Sequence, residues 1–451
     1  MKRVRIGNGC GFWGDNLDAP RELAEHGRLD YLTLEYLAEL TMSILALQKQ
    51  RHPEAGYASD FLEVLQQLIP LLQRQPGLKI ITNAGGMNPR GCAIRARALL
   101  DEAGMNSRLI GIVHGDDLLP RIDELLMRDH AFTNLDTGEP LSSVRDRLIS
   151  VNAYLGCQPI VSALQQGADV VITGRVADAS LTLGPAVHEF GWEWDDWDRL
   201  AAGTVAGHLI ECGAQATGGL WCHWQETDLA LVGYPIADIE DSGAFTITKP
   251  PGSGGAVNRE TIAEQLLYEV GDPSAYLTPD VVADFTSVQL TESCRDEVRI
   301  TGARGKPATD SYKVSIAYRD GWTASGTLVI AGPEAAKKAR RSGEMIFERL
   351  RRAGVASQHR NIECLGAGDS MPGVLPIVDA PEVVLRVTVR DADRAVVERF
   401  SKEFAPLVTS GPPGVTGYTT GRPPVREVFA YWPALVAKSA VVPQIEVLGD
   451  H

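Results

Sequence analysis

Ile172-Thr-Gly-Arg-Val-Ala-Asp-Ala-Ser180 follows an apolar run, Asp169–Thr173, and precedes a helix-like one. A strand, a polar turn and a helix in that order mark the junction of an open α/β sheet where ligands sit, outside the carboxyl ends of the strands. The turn carries Arg175 and Asp178, three residues apart. Arginine recognises carboxylate or phosphate bidentately; the alternative is an internal Arg–Asp pair that fixes the turn. A second junction, Lys249-Pro-Pro-Gly-Ser-Gly-Gly255, sets a lysine beside Gly252, Gly254 and Gly255, just ahead of Asn258, a good helix cap. Free backbone N–H groups in such a turn suit an anion. The spacing is not that of a Walker A loop.

Working outward, the first half alternates strand and helix. Strand-like runs are Val4–Gly7, Asp30–Leu34, Leu78–Thr82, Leu109–Val113, Leu148–Ala153 and Asp169–Thr173. They are almost continuously apolar, as strands buried on both faces of a parallel sheet are. Helical runs include Asp60–Leu72, Arg90–Ala103 and Asp195–Gln215. The expected class is α/β, with a largely parallel sheet in an N-terminal domain (1–225), followed by an α+β domain (226–451). The boundary is expected near Thr217–Gly233. Beyond it, Tyr312–Tyr318 and Thr323–Ile330 read as a hairpin joined by Arg-Asp-Gly-Trp. Ser410–Pro424, rich in glycine and proline, reads as an irregular loop.

The chain has 451 residues, 44% hydrophobic and 22% charged, which suits a globular protein of more than one core. Its net charge of −15 argues against nucleic acid or an anionic membrane as the main partner. No apolar run approaches the ~20 residues of a membrane span. Seven scattered cysteines without a CxxC pair point to reduced thiols and a cytoplasmic setting. No HxH, HExxH or Cys/His cluster points to zinc, and no metal or cofactor is expected.

Gly9-Cys-Gly-Phe-Trp-Gly14 matches a dinucleotide fingerprint, and Glu35 ends the next strand where a ribose-binding acid would sit. Physically the match fails. Pro20 lies where the phosphate-binding helix would already be regular, at a cost of about 3 kcal/mol. A helix capped by Asp18 is expected instead. The glycines then form a loop that passes close to neighbouring backbone, or a substrate loop carrying Asp15.

Polar residues at the carboxyl ends of parallel strands converge even when far apart in sequence. Asp15, Glu35, Asn83, Asn88, His114, Arg175 and Asp178 are all so placed. Asn83 and Asn88 hold a carboxylate or thioester oxygen, or cap their own turn. His114 could serve in acid–base work. On the 200–215 helix, His208 shares a face with Glu211, so a buried imidazole beside a carboxylate is a candidate base; a satisfied core histidine is the alternative.

Several stretches resemble, in order, the motifs of one family: Gly7-Asn-Gly-Cys-Gly-Phe-Trp-Gly-Asp15, Thr82-Asn-Ala-Gly-Gly-Met-Asn-Pro89, Thr173-Gly-Arg-Val-Ala-Asp-Ala-Ser180 and Glu211-Cys-Gly-Ala-Gln-Ala-Thr-Gly-Gly219. The chain resembles the acyclic terpene utilisation protein A (AtuA) family over most of its length. The resemblance implies a part in catabolism of acyclic terpenes, whose pathway works on branched acyl-CoA thioesters. A lyase-type enzyme is expected, which hydrates, dehydrates or cleaves a branched acyl-CoA or related small carboxylic acid. A non-catalytic subunit and a metal-dependent hydrolase are the alternatives. The expected site has His208, His114, Glu211 and Asp178 in catalysis. Asp15, Glu35, Asn83, Asn88, Arg175, Lys249, Gly252, Gly254 and Gly255 bind substrate. The resemblance also implies a small ferredoxin-like partner protein, docking near Tyr418 and Arg422. A homo-oligomer is expected.

Overall fold

Six apolar runs become six strands in the computed structural model, which describes residues 2–128, 130–418 and 421–449. They are β1 (Arg3–Asn8), β2 (Tyr31–Leu34), β3 (Lys79–Thr82), β4 (Ile110–His114), β5 (Leu148–Ala153) and β6 (Val170–Thr173). Five lie side by side and parallel in the order β1-β2-β3-β6-β4. In β2, β4 and β6 the side chains are buried on both faces almost throughout, which is why these runs are largely apolar, whereas β1 alternates Arg3-Val4-Arg5-Ile6. β5 is the exception: it leaves this sheet and pairs with Ser311–Ala331.

The chain is mixed α/β, and the parallel core is the middle of a larger mixed sheet. β7 (Ile236–Glu240) runs antiparallel beside β1, and β8 (Phe245–Thr248) beside β7. Glu297–Thr301 and Gln289–Cys294 extend that side, while Gln444–Leu448 pairs antiparallel with β4 and ends the other. The ten-stranded sheet therefore recruits chain from both halves of the sequence.

Two compact units result: Met1–Ala317 with Tyr431–His451, and Tyr318–Ala430. The boundary expected near Thr217–Gly233 falls inside the first unit, because β7 and β8 continue the sheet that β1 begins. In the second unit, Tyr318–Ala331, helix Ala335–Arg352, strands His359–Leu365 and Glu382–Asp391, helix Arg394–Ser401 and strand Val415–Thr416 follow one another. The sheet order places the last strand beside the first, and the third between the first and second. This is the split βαβ, ferredoxin-like arrangement. A unit of the kind expected of a separate partner is thus built into the chain.

The hairpin expected at 312–330 is one unbroken strand, Ser311–Ala331. A two-residue hairpin turn of type I′ needs positive φ at both central residues. Here Gly321 has φ +87°, while neither Asp320 nor Trp322 has a positive φ. Trp322–Ala331 instead pairs with Glu382–Asp391. Tyr418 packs against the apolar core of its own unit, and Arg422 is exposed. Thr419 and Thr420, between them, lie outside the described residues.

Helix Ala19–His26 starts where Pro20 requires, with Asp18 at its cap and proline in its first turn. The Gly9–Gly14 loop is tight for packing reasons. A Cβ on Gly9 would lie 2.8 Å from the Pro20 backbone, and one on Gly11 2.8 Å from the carbonyl carbon of Cys212. Helix Trp197–Glu211 comes as close to the Asp178–Ala179 turn: a Cβ on Gly207 would lie 2.6 Å from the Ala179 carbonyl oxygen. Gly207→Ala is expected to destabilise the protein by about 1–3 kcal/mol through overpacking. The measurement is a urea midpoint shifted down at unchanged slope.

Candidate active site

Asn8, at the end of β1, begins the construction. Its Nδ2 donates to the carbonyls of Ile210 at 2.8 Å and Glu211 at 2.9 Å. Terminal helix carbonyls have no partner within their helix, so this buried amide fastens the end of helix Trp197–Glu211 to the sheet edge. Three strand-end turns then face that helix end. The loop after β1 brings Asp15, whose carboxylate accepts from Gly11 N at 2.8 Å and from the Tyr234 hydroxyl. The turn after β2 brings Glu35, and the turn after β6 brings Asp178.

Together they line a cleft of about 450 Å³ with Phe12, Glu39, Glu211, Cys212, Gln215, Leu220, Tyr234, Tyr268 and Glu269. Six carboxylates line this cleft, and none of the described lining residues is lysine or arginine. Phe12 and Leu220 are exposed at 55% and 86%, so an apolar rim surrounds an acidic floor. Leu220 and Glu269 both hold positive φ, +64° and +59°. Such backbone is costly for residues with a Cβ and clusters at functional sites.

Glu35 is 4% exposed. One oxygen accepts from Asn83 Nδ2 and from Leu37 N, while Oε2 has no hydrogen-bond partner. Burial pushes its pKa well above the usual carboxylate range, and the nearby Asp178 charge adds to the rise against the opposing pull of Arg175. Asp178 pairs with Arg175. Burial raises it to about 7 despite that guanidinium, with Glu211 adding to the rise. Burial thus pushes two carboxyl groups of the floor toward the protonated form.

Glu211 faces the cleft, and His208 stands behind it. The imidazole Nδ1 lies 3.0 Å from Glu211 Oε1, and His208 is 2% exposed. Burial disfavours the imidazolium, but the Glu211 carboxylate outweighs that and raises the pKa of His208. The ring is packed against Tyr276 and Phe285, with Nε2 unpartnered. His208 thus holds Glu211 rather than reaching a substrate itself.

Other expected residues are placed elsewhere. Asn83 is fully buried and orients Glu35. Asn88 caps helix Pro89–Glu102 and donates to the Ala55 carbonyl. His114 lies 3.2 Å from Glu446, because Gln444–Leu448 pairs alongside β4 and carries that carboxylate there. Arg175 is not a free anion receptor: its guanidinium bonds the Leu37 carbonyl and Asp178, 4.1 Å from the centre of the Tyr154 ring. Lys249 donates to the Ser253 carbonyl and pairs with Asp296. Gly254 N and Gly255 N bond the carbonyls of Leu231 and Asp228, so they form no anion cradle. Gly252 and these two glycines are not among the cleft residues. Leu220 and Tyr234 carry no motif by which the sequence marks them, and Phe12 lies inside the Gly9–Gly14 run, where its side chain signals no chemistry.

Residues 4–447 match the family described as acyclic terpene utilisation family protein AtuA. The chain belongs to that family. Its name ties this member to the use of acyclic terpenes. No curated protein and no solved structure matches the chain. Among the described residues no helix is long and apolar enough to cross a membrane.

A carboxyl group whose pKa is raised on folding binds a proton that the unfolded chain has released. Its contribution to stability therefore falls as pH rises from the unfolded value, near 4.3 for glutamate, through the folded one. Glu35→Gln keeps the neutral form at every pH. The variant is expected to match wild type near pH 4 and to gain melting temperature over it steadily towards pH 8. Parallel melting curves across that range provide the check.

Proposed function

We propose that this chain is an acid–base enzyme of lyase type. It would hydrate, dehydrate or cleave the acyl part of a branched acyl-CoA or a related small carboxylic acid. The observation that carries the reading is the pairing of two unlike carboxyl groups in one cleft. Burial pushes the pKa of Glu35 upward, and its free Oε2 is the candidate proton donor. Glu211 is paired with the His208 imidazole and also has an unpartnered Oε2, the candidate base.

In a dehydration, Glu211 would take the proton from carbon next to the thioester carbonyl, and Glu35 would protonate the departing hydroxyl. Hydration is the reverse, with ionised Glu35 taking a proton from water and protonated Glu211 returning one to carbon. Asp178, held by Arg175 and poised near neutrality, can relay the proton between turnovers. His208 is a positioning residue for Glu211.

The lining chemistry supports an uncharged reacting group. Acidic walls repel phosphate and free carboxylate, so the thioester is favoured over the free acid and a coenzyme A nucleotide would remain outside the cleft. Its volume, about 450 Å³, suits an acyl chain rather than a whole acyl-CoA. Exposed Phe12 and Leu220 would cover a branched hydrocarbon chain at the mouth.

The test is a panel of branched hydroxyacyl-CoAs and their unsaturated counterparts, with turnover followed by loss or gain of the conjugated thioester. Glu35→Gln and Glu211→Gln are each expected to lower kcat by about 10²–10⁴-fold. For Glu35→Gln this loss should accompany the gain in stability described above, which separates catalysis from folding. Failure of wild type to turn over any member, or full activity in both variants, overturns the proposal.

A further inference from the structure

The run from 218 to 235 crosses the surface with one 3-10 turn, Trp224–Glu226, as its regular structure. It begins with Gly219 and Leu220, which wall the cleft, and goes straight on to Trp221, Cys222 and His223. Here the sequence has no spaced zinc motif, yet the fold supplies the remaining ligand from helix Arg259–Leu267. One ligand atom each from Cys222, His223 and Glu260 lies within 4.8 Å of the others. His223 Nε2 is 3.7 Å from Glu260 Oε2. Two ligands on one tetrahedral zinc ion, with bonds of 2.0–2.3 Å, stand about 3.3–3.8 Å apart.

The surroundings are arranged as metal sites are. Trp221 is 6% exposed and supports two of the three groups: its ring edge meets the His223 ring at 5.3 Å, and its Nε1 donates to Glu260 Oε2 at 3.3 Å. The other imidazole nitrogen, Nδ1, lies 3.9 Å from Glu226 Oε1. A carboxylate behind a ligating histidine fixes its tautomer and orientation.

We propose that Cys222, His223 and Glu260 form a zinc site, with Glu226 orienting the imidazole and the fourth position of the tetrahedron left to solvent. A thiolate, an imidazole and a carboxylate together select zinc over calcium or magnesium, which take oxygen ligands. On binding, the Cys222 thiol releases its proton to solvent and no redox change occurs. The ion would staple the 218–235 run to the helix and so hold the Gly219–Leu220 wall of the cleft in place. The site is separate from the acid–base residues, and the inference does not depend on the catalytic reading.

The experiment uses tag-free full-length protein, with cobalt(II) as the spectroscopic probe and zinc(II) in calorimetry. Wild type is expected to bind a single tight equivalent of cobalt with a thiolate-to-metal charge-transfer band, displaced by zinc. Cys222→Ser should abolish the band, and His223→Gln should weaken zinc binding by at least about 10-fold. Cys212→Ser and Cys294→Ser, which remove a cleft cysteine and another exposed one, should keep the band. Absence of the band in wild type, its survival in Cys222→Ser, or its loss in Cys212→Ser overturns the proposal. Cys222 and His223 are exposed, so these variants should fold.

Discussion

A buried guanidinium holds the site together. Arg175 is 1% exposed, and an ion so placed is tolerated only if its charge and its donors are met inside the protein. The charge and the two terminal nitrogens are met from several directions, while Nε has no partner. Asp178 supplies the opposite charge, the Leu37 carbonyl takes a donor, and the face of Tyr154 covers the plane. The peptide N–H of the same residue donates to buried Asp116, which Asn152 also holds. Chain from the ends of β2, β4, β5 and β6 is thereby drawn to one point. The cleft floor takes its shape from that convergence.

The same arrangement sets the proton inventory. One guanidinium offsets only part of the negative charge that Glu35 and Asp178 would carry. Burial removes the water that would otherwise screen them, so both carboxyl groups are pushed toward the protonated form. Glu211 differs in its partner, the His208 imidazole behind it. Cys212, beside it, is pushed up to about 12 by burial and by the Glu211 charge, and so remains a thiol.

How far the sequence shows this depends on whether the deciding contact is local. β2, β4 and β6 are legible because burial on both faces leaves a largely apolar run. Pro20 alone excludes a phosphate-binding helix after Gly14, and the helix does start at Ala19. Asp15, Glu35 and Asp178 converge as the strand-end rule requires, and Glu211 joins them from the end of a helix. The rule cannot see which ends are already occupied. His114 sits at a strand end but meets Glu446, more than three hundred residues away in sequence. Lys249 and the glycines after it are spent on Asp296, Ser253, Leu231 and Asp228, partners that no local pattern reveals. The missed hairpin has the same origin: Asp320-Gly321 has turn chemistry, but Glu382–Asp391 offers the neighbouring run a longer ladder than a hairpin would.

The antiparallel strand Gln444–Leu448 has a consequence for how the protein is made. Its partner, β4, leaves the ribosome more than three hundred residues ahead of it. In that interval the β4 side of the large sheet presents unpaired backbone groups, a template for association with another chain. Residues 318–430 meet most of their own strand partners earlier. The first unit to begin is therefore the last to close, and a chain interrupted before Gln444 keeps an adhesive edge.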